Sequence, residues 1–332
     1  VVQMKAIHLC CGGGGTTLGF ERAGIETAYA FDYWPPAVET HRLNWPDVRC
    51  EQRDIRALHA ADLPQADVWT CGIPCEPFSV AGYRLEERDE RDISAELARL
   101  LNEASAAGRG PAYVFLENVP QYRHSAGAEM IREALAGYGV FEAVLRHADW
   151  GVPQKRQRWH IIASRAGRVI TPEATHSEQP DLFGRPGWVR FGEIGERDVA
   201  EPHYMSARAL RGVIRRQRSK VLSGLARDAS VFGVLYIVDD ADLMPTVMAT
   251  AHKGISRNQA VVVFDDYRFR QPTELELRRA QGLPDDFVLA GNKRERYEQI
   301  ARAVAPPVAE AVGRAMIADA AAVGVIPPLP LP

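Results

Sequence analysis

Residues 4–9 (MKAIHL) run without interruption into CCGGGG at 10–15 and then into a helix-forming stretch from Thr16 to Ala23. A short apolar strand, a glycine turn and a helix in that order constrain the fold more than any other feature. The helix must lie back along the strand, which suits a parallel sheet covered by helices. The pattern recurs. Residues 27–31 read as a second strand ending at Asp32, and Pro35 and Pro36 suit the start of a helix running to about Asn44. Asp54 and Ile55 follow another short segment. Residues 66–71, 112–116 and 157–163 read as further strands, and helices are expected near 273–281 and 293–318. In sheets of this kind the ligand crevice lies beyond the carboxyl ends of the strands. The polar clusters of this chain fall at strand ends, so one shared crevice is expected.

Between residues 166 and 266 the periodicity is lost and Gly, Pro and charged residues accumulate. The expected organisation is a catalytic region at 1–165, a smaller domain at 166–266, a return to the first domain at 267–320 and a loose tail at 321–332. No apolar run is long enough for a transmembrane helix. The start has no signal-peptide pattern, so a cytoplasmic protein without membrane contact is expected. Five cysteines, an odd number with no CxxC pair, argue against a disulfide framework or a zinc site and leave room for one chemically used thiol. The net charge of −3 does not advertise nucleic acid, but Arg208, Arg211, Arg215, Arg216, Arg218 and Lys220 form a local basic run. Such a run is either a solvated helix face or a phosphate-contacting patch.

Four clusters carry chemistry. Gly12 to Gly15 let a ligand approach the backbone, since no Cβ intrudes. Asp32 stands where a carboxylate accepts ribose hydroxyls, or caps the next helix. Pro74 and Pro77 bracket Cys75 at a strand end, stiffening the loop that presents the thiol. An attacking thiol needs activation, and a cysteine is otherwise a small buried hydrophobe. Glu117 closes an apolar strand, where partial desolvation suits a proton donor; the plain alternative is a strand-end cap. In QKRQR, residues 154–158, strand alternation puts Arg156 and Arg158 on one face, fit for a phosphate or a base.

Taken together and in order, these clusters resemble the DNA cytosine-5 methyltransferases. HLCCGGGGTTLGFERAG (8–24), CGIPCEPFSVAGYR (71–84), FLENV (115–119), GVPQKRQR (151–158), TELELRRAQGLPDDF (273–287) and QIARAVAPPVAEAVG (299–313) look like six of the family's motifs. The resemblance implies a Rossmann-like, S-adenosylmethionine-dependent α/β fold with a mostly parallel sheet and a small target-recognition domain. It implies that Cys75 attacks carbon 6 of a cytosine flipped out of double-stranded DNA, that Glu117 binds ring nitrogen 3, and that Arg158 helps hold the base. Arg156 and Gln154 would support the loop and the DNA backbone. Cys10, Gly12, Gly14, Asp32, Asp54, Ile55 and Leu97 would line the cofactor site. Ser79, Thr246 and the arginines at 215, 216 and 218 would meet DNA, with residues 166–266 reading bases in the major groove. A metal-free, monomeric enzyme of a bacterium or phage is expected.

The departures are informative. The aromatic residue usual before the glycine turn is Cys10, the usual glutamine after the nucleophile is Glu76, and the usual proline two before it is Ile73. The fifth motif, around 92–99, is poorly preserved, with Leu97 in place of its leucine. The Gly-Asn of the tenth motif is Ala301-Arg302. By the resemblance, position 302 lies beside the donor end of the cofactor pocket. A guanidinium near a sulfonium is unfavourable unless a carboxylate lies between them. Arg302 therefore points to carboxy-S-adenosylmethionine as donor and 5-carboxymethylcytosine as product; in the plain alternative it turns away to solvent or to a local acid such as Glu298 or Glu310, and the donor is ordinary. A non-catalytic DNA-binding homologue leaves Cys75, Glu117, Arg156 and Arg158 unexplained, and a nicotinamide oxidoreductase rests on the glycine turn alone. An RNA substrate is a variant of the transferase reading.

Overall fold

The computed structural model describes residues 3–74, 92–197, 234–253, 259–265 and 268–323, with isolated positions 199, 204, 206, 208 and 211. Seven strands form the main sheet: β1 (Lys5–Leu9), β2 (Glu26–Asp32), β3 (Cys50–Gln52), β4 (Val68–Gly72), β5 (Tyr113–Asn118), β6 (Gly139–Arg146) and β7 (Gln157–Ser164). Their order is β3-β2-β1-β4-β5-β7-β6. All neighbouring pairs are parallel except those made by β7, which runs against both β5 and β6. The sheet is the mostly parallel, Rossmann-like one expected. The reversal of β7 was not legible in its own residues. It follows because β6 and β7 are joined by only ten residues, 147–156, too few for a helical crossover.

Alternation within the strands builds two cores. Ala6, Val68, Phe115 and Ile162 share one cluster with Phe20 of α1 (Gly15–Ala23) and with Val312 and Met316 of the C-terminal helix. Ile7, Trp69, Val114, Leu116 and Ile161 point the other way, into a cluster with Leu97, Leu100 and Leu101 of α3 (Ser94–Ala106) and Ile131 of α4 (Ala126–Ala134). Strands apolar on both faces belong to a sheet covered on both sides. Full burial of each such side chain stabilises by roughly 1.5–3 kcal/mol. Helix α2 (Pro35–Asn44) starts on its two prolines as expected.

The remaining helices among the described residues are α5 (Phe191–Ile194, one turn), α6 (Glu274–Ala280), α7 (Lys293–Arg302) and α8 (Pro306–Ala322). The single helix expected over 293–318 is thus two. Pro306 and Pro307 cannot donate to a preceding turn, and Ala303 leaves the helical region with ψ 135°. A second sheet holds β8 (Val234–Val238), β9 (Gln259–Asp265) and β10 (Arg268–Arg270), in the order β10-β9-β8. Phe191, Val238, Met244 and Val247 pack in one cluster with Leu277, Leu283, Tyr297 and Ile300. The described part of 166–266 therefore shares its core with α6 and α7.

Candidate active site

A cavity of about 830 Å³ opens where β1, β2, β4 and β5 end. Its wall includes Cys10, Gly12, Asp32, Asp54, Ile55, Glu117, Arg158 and Arg302. The glycine turn and the carboxylate of Asp32 form one unit. Asp32 is buried, and its two oxygens accept from the backbone N–H of Gly12 at 2.8 Å and of Trp34 at 2.9 Å. Burial pushes the Asp32 pKa up, against those two N–H groups and the nearby Arg302 cation, which pull it down. Gly12 has φ +54°, and nothing lies within 4 Å of where its Cβ would stand. Gly14 has φ +93° and caps α1. Asp54 is largely spent on its own loop, accepting from Arg56 N at 3.0 Å, while Ile55 is buried behind it. An apolar wall at Ile55, a carboxylate at Asp32 and an open backbone at Gly12 fit a nucleoside-type cofactor.

Cys10 and Cys11 lie in the same turn. Contact with the Cys71 thiol, then burial, holds the Cys10 pKa well above the usual thiol range; the Cys50 thiol and burial do the same for Cys11. Neither is a poised nucleophile.

Glu117 sits at the deep end of the cavity. Its Oε1 is 3.2 Å from Arg158 Nε and 3.5 Å from Arg156 Nη2, and among the described residues it has no well-formed hydrogen bond. The two arginines reach it because β7 is antiparallel. Arg158 is the second residue of that strand and Arg156 directly precedes it, and the reversal brings this end to the edge where β5 ends. Their tasks differ. Arg158 lines the cavity near Glu117, whereas Arg156, 1% exposed, also donates to the carbonyls of Ala301 at 3.0 Å and Ala303 at 3.3 Å. It clasps the end of α7 to the main sheet.

Two expectations are corrected. Leu97 is buried in the α3 core among Leu100, Leu101 and the sheet; the same helix end presents Ile93 and Glu96 to the cavity instead. Gln154, expected at the DNA backbone, is fully buried. Its amide donates to Ala280 O and Gln281 Oε1, both at 3.0 Å, and accepts from Val247 N at 2.8 Å. It ties the segment that carries Thr246 to α6. Thr246 Oγ1 itself donates to Lys155 O at 3.2 Å. Cys75, Glu76, Ser79, Arg215, Arg216 and Arg218 lie outside the described residues, as does the tail from residue 324; Arg208 and Arg211 are exposed.

Arg302, at the last turn of α7, lines the cavity with its guanidinium 5.1 Å from the Trp34 ring centroid and 3.6 Å from Glu298 Oε2. Gln299, one turn earlier, also reaches the cavity and was missed in the sequence. Helical spacing from Arg302 was the available signal, since residues three apart share a face. Trp34 was missed too, although it follows Asp32 by two residues.

A family model described as C-5 cytosine-specific DNA methylase matches residues 4–318. The chain is 31% identical over 327 residues to the Type II methyltransferase M.NgoMIV of Neisseria gonorrhoeae, covering 95% of this chain and 98% of that one. It is 30% identical to the Type II methyltransferase M1.HphI of Haemophilus parahaemolyticus, covering 95% and 87%. In fold it is similar to the S. pombe Dnmt2 methyltransferase, with TM-score 0.74 and 18% identity over 97% of this chain and 100% of that one. It is also similar to a putative DNA modification methyltransferase encoded within an E. coli prophage, with TM-score 0.67 and 19% identity over 95% and 99%. A match that runs from β1 into α8 and takes in the glycine turn, Glu117, Arg156 and Arg158 settles the assignment: the chain belongs to the C-5 cytosine-specific DNA methylase family.

Proposed function

We propose that this DNA cytosine-5 transferase uses Cys75 as its nucleophile and accepts a donor that carries a carboxylate on the transferred carbon. The observation that carries the reading is that one cavity holds both Glu117 and Arg302. Cys75 directly follows Pro74, a residue of the cavity wall. Its sulfur would bond to carbon 6 of a cytosine flipped from double-stranded DNA. Glu117 Oε1, buried and without a well-formed hydrogen bond among the described residues, would hold a proton at ring nitrogen 3 and so stabilise the charge that the attack creates. Arg158 orients that carboxylate and the base. Carbon 5 then becomes nucleophilic toward the carbon that a bound sulfonium donor would supply, the broken carbon–sulfur bond leaving its electron pair on the donor sulfur as a neutral thioether. Loss of the carbon 5 proton to a base finally lets Cys75 leave.

When bound, an S-adenosyl donor supplies the electrophilic carbon. Asp32 would accept its ribose hydroxyls and Ile55 would flank its adenine. Cys10, small where the family carries an aromatic ring, leaves room at the donor end, and Arg302 would pair with the donor carboxylate in two-point geometry. Within 166–266, Thr246 and the arginines at 215, 216 and 218 would meet DNA and read the target sequence, and Ser79 would meet DNA as well. A monomer would suffice.

Plain methyl transfer is the second reading, favoured by the 3.6 Å contact of Arg302 with Glu298, which offsets its charge locally. Mass spectrometry of nucleosides from DNA treated with each donor separates the two. Carboxymethylcytosine in preference to methylcytosine, reversed in Arg302→Asn, supports the proposal. Only methylcytosine, with donor preference unchanged in Arg302→Asn, refutes it.

A further inference from the structure

Residues 177–187 form a closed turn on the surface. Ser177 bridges Gly187, and Asp181 and Arg185 exchange backbone contact at 3.1 Å. The Asp181 carboxylate organises the tip: it accepts from Phe183 N at 2.9 Å and Arg185 N at 3.1 Å, and pairs with Arg185 Nε at 2.6 Å. Gly184 closes the turn with φ +82°. This framework holds Leu182 at 103% and Phe183 at 89% exposure, the only adjacent pair of large apolar side chains so exposed among the described residues. Gln179 and Pro180, just ahead of them, are exposed as well.

Two fully solvated apolar side chains on a turn fixed by five polar contacts contribute nothing to this fold. They do lower the entropic cost of binding something else, because the turn is already shaped. The charge of the turn selects the class of partner. Glu178 and Asp181 stand against one cation, Arg185. A surface built to meet phosphates would carry the opposite balance. An exposed Leu-Phe pair behind a glutamine, with acidic flanks, fits a protein groove with two apolar pockets and a basic or polar rim.

We propose that residues 179–183 (QPDLF) are a docking peptide for such a groove on a partner protein, Leu182 and Phe183 filling adjoining pockets and the Gln179 amide bonding the rim. Ring-shaped sliding clamps, which encircle DNA, carry an apolar groove that takes short peptides of this chemistry, and a purified bacterial clamp is the probe. The inference is independent of which donor the enzyme uses.

The test is surface plasmon resonance of the full chain over the immobilised clamp. The expected result is a dissociation constant in the range of about 1–50 µM. It weakens at least tenfold in L182A/F183A and is competed by a free peptide spanning 177–187. Modification of a short linear duplex and affinity for it stay at the level of the unsubstituted chain, and urea unfolding of the double variant is unchanged. No binding of the unsubstituted chain over that range, or binding that survives L182A/F183A, overturns the proposal. A loss of duplex affinity in L182A/F183A also overturns it and gives the turn to DNA.

Discussion

Gln154 separates two readings of the same residue, one as a contact to the DNA backbone and one as an internal tie. The perturbation is Gln154→Leu, which removes the amide and shortens the side chain by one atom. Three hydrogen bonds are lost, and Val247 N–H, Ala280 C=O and Gln281 Oε1 are left in the interior without that partner. A net contribution near 1 kcal/mol per bond, with a penalty of about 1–3 kcal/mol for a buried group left unsatisfied, gives a loss of about 2–5 kcal/mol. Part of that is recovered because leucine suits the apolar surroundings. The assay is urea denaturation of the full chain without DNA, run beside the salt dependence of duplex binding. The internal tie predicts a lower urea midpoint, non-additivity with Gln281→Leu because the two amides share a bond, and an unchanged salt slope. Stability within about 0.5 kcal/mol, combined with a salt slope reduced by about one unit, would refute the reasoning and return Gln154 to a phosphate.

Arg156→Met removes a cation 3.5 Å from buried Glu117, takes a donor from the Ala301 carbonyl and leaves the Ala303 carbonyl to Gln281 Nε2. A destabilisation of about 3–5 kcal/mol is expected in calorimetry or urea, and a loss below about 1 kcal/mol would show that the clasp does not hold α7. Stability should also fall on mild acidification. Burial depresses the pKa of His8 and His160 to about 3, and carries that of His147 well below the ordinary value, with neighbouring cationic or imidazole groups adding to the effect. A base whose folded-state pKa lies below its unfolded value takes up its proton on unfolding. The stability it contributes is therefore fully present above pH ~6.5 and is lost as pH falls toward 3, at up to about 1.4 kcal/mol per pH unit for each group. Asp32 and Glu21, whose carboxyl pKa burial raises, act in the opposite sense and offset part of the slope. A urea midpoint that stays flat from pH 6.5 to 5 would contradict the neutral, buried state of the three histidines.

Much of the site was legible because local sequence fixes local geometry. The glycine turn had to follow β1, Asp32 had to end β2, and Glu117 had to close β5, so their convergence followed from the parallel sheet alone. What was not legible depended on contacts remote in sequence. Leu97 was read from motif position, yet helical phase turns it into the core while Ile93 and Glu96, one turn or one residue away, face the cavity. Gln154 sits in a run of charged residues, so nothing near it in the chain announces burial. Its partners are 93 to 127 residues away.

The reversal of β7 has the largest functional consequence. Had the strand run parallel to β5, Arg156 and Arg158 would stand at the far edge of the sheet, remote from Glu117. Running against it, they arrive at the edge where β5 ends, and Arg156 then reaches on to the carbonyls that follow α7. One buried guanidinium thus links Glu117 to the end of the helix that carries Arg302. The link separates the two ends of the cavity in kind. Glu117 and Arg158 are held by the main sheet, while position 302 stands on a helix end clasped from outside through its backbone. Because Arg156 bonds there to the backbone carbonyls of Ala301 and Ala303, the residue at 302 can change without breaking those two bonds. On the proposed reading, donor choice would therefore be open to a single substitution at position 302, while the chemistry on the base would not.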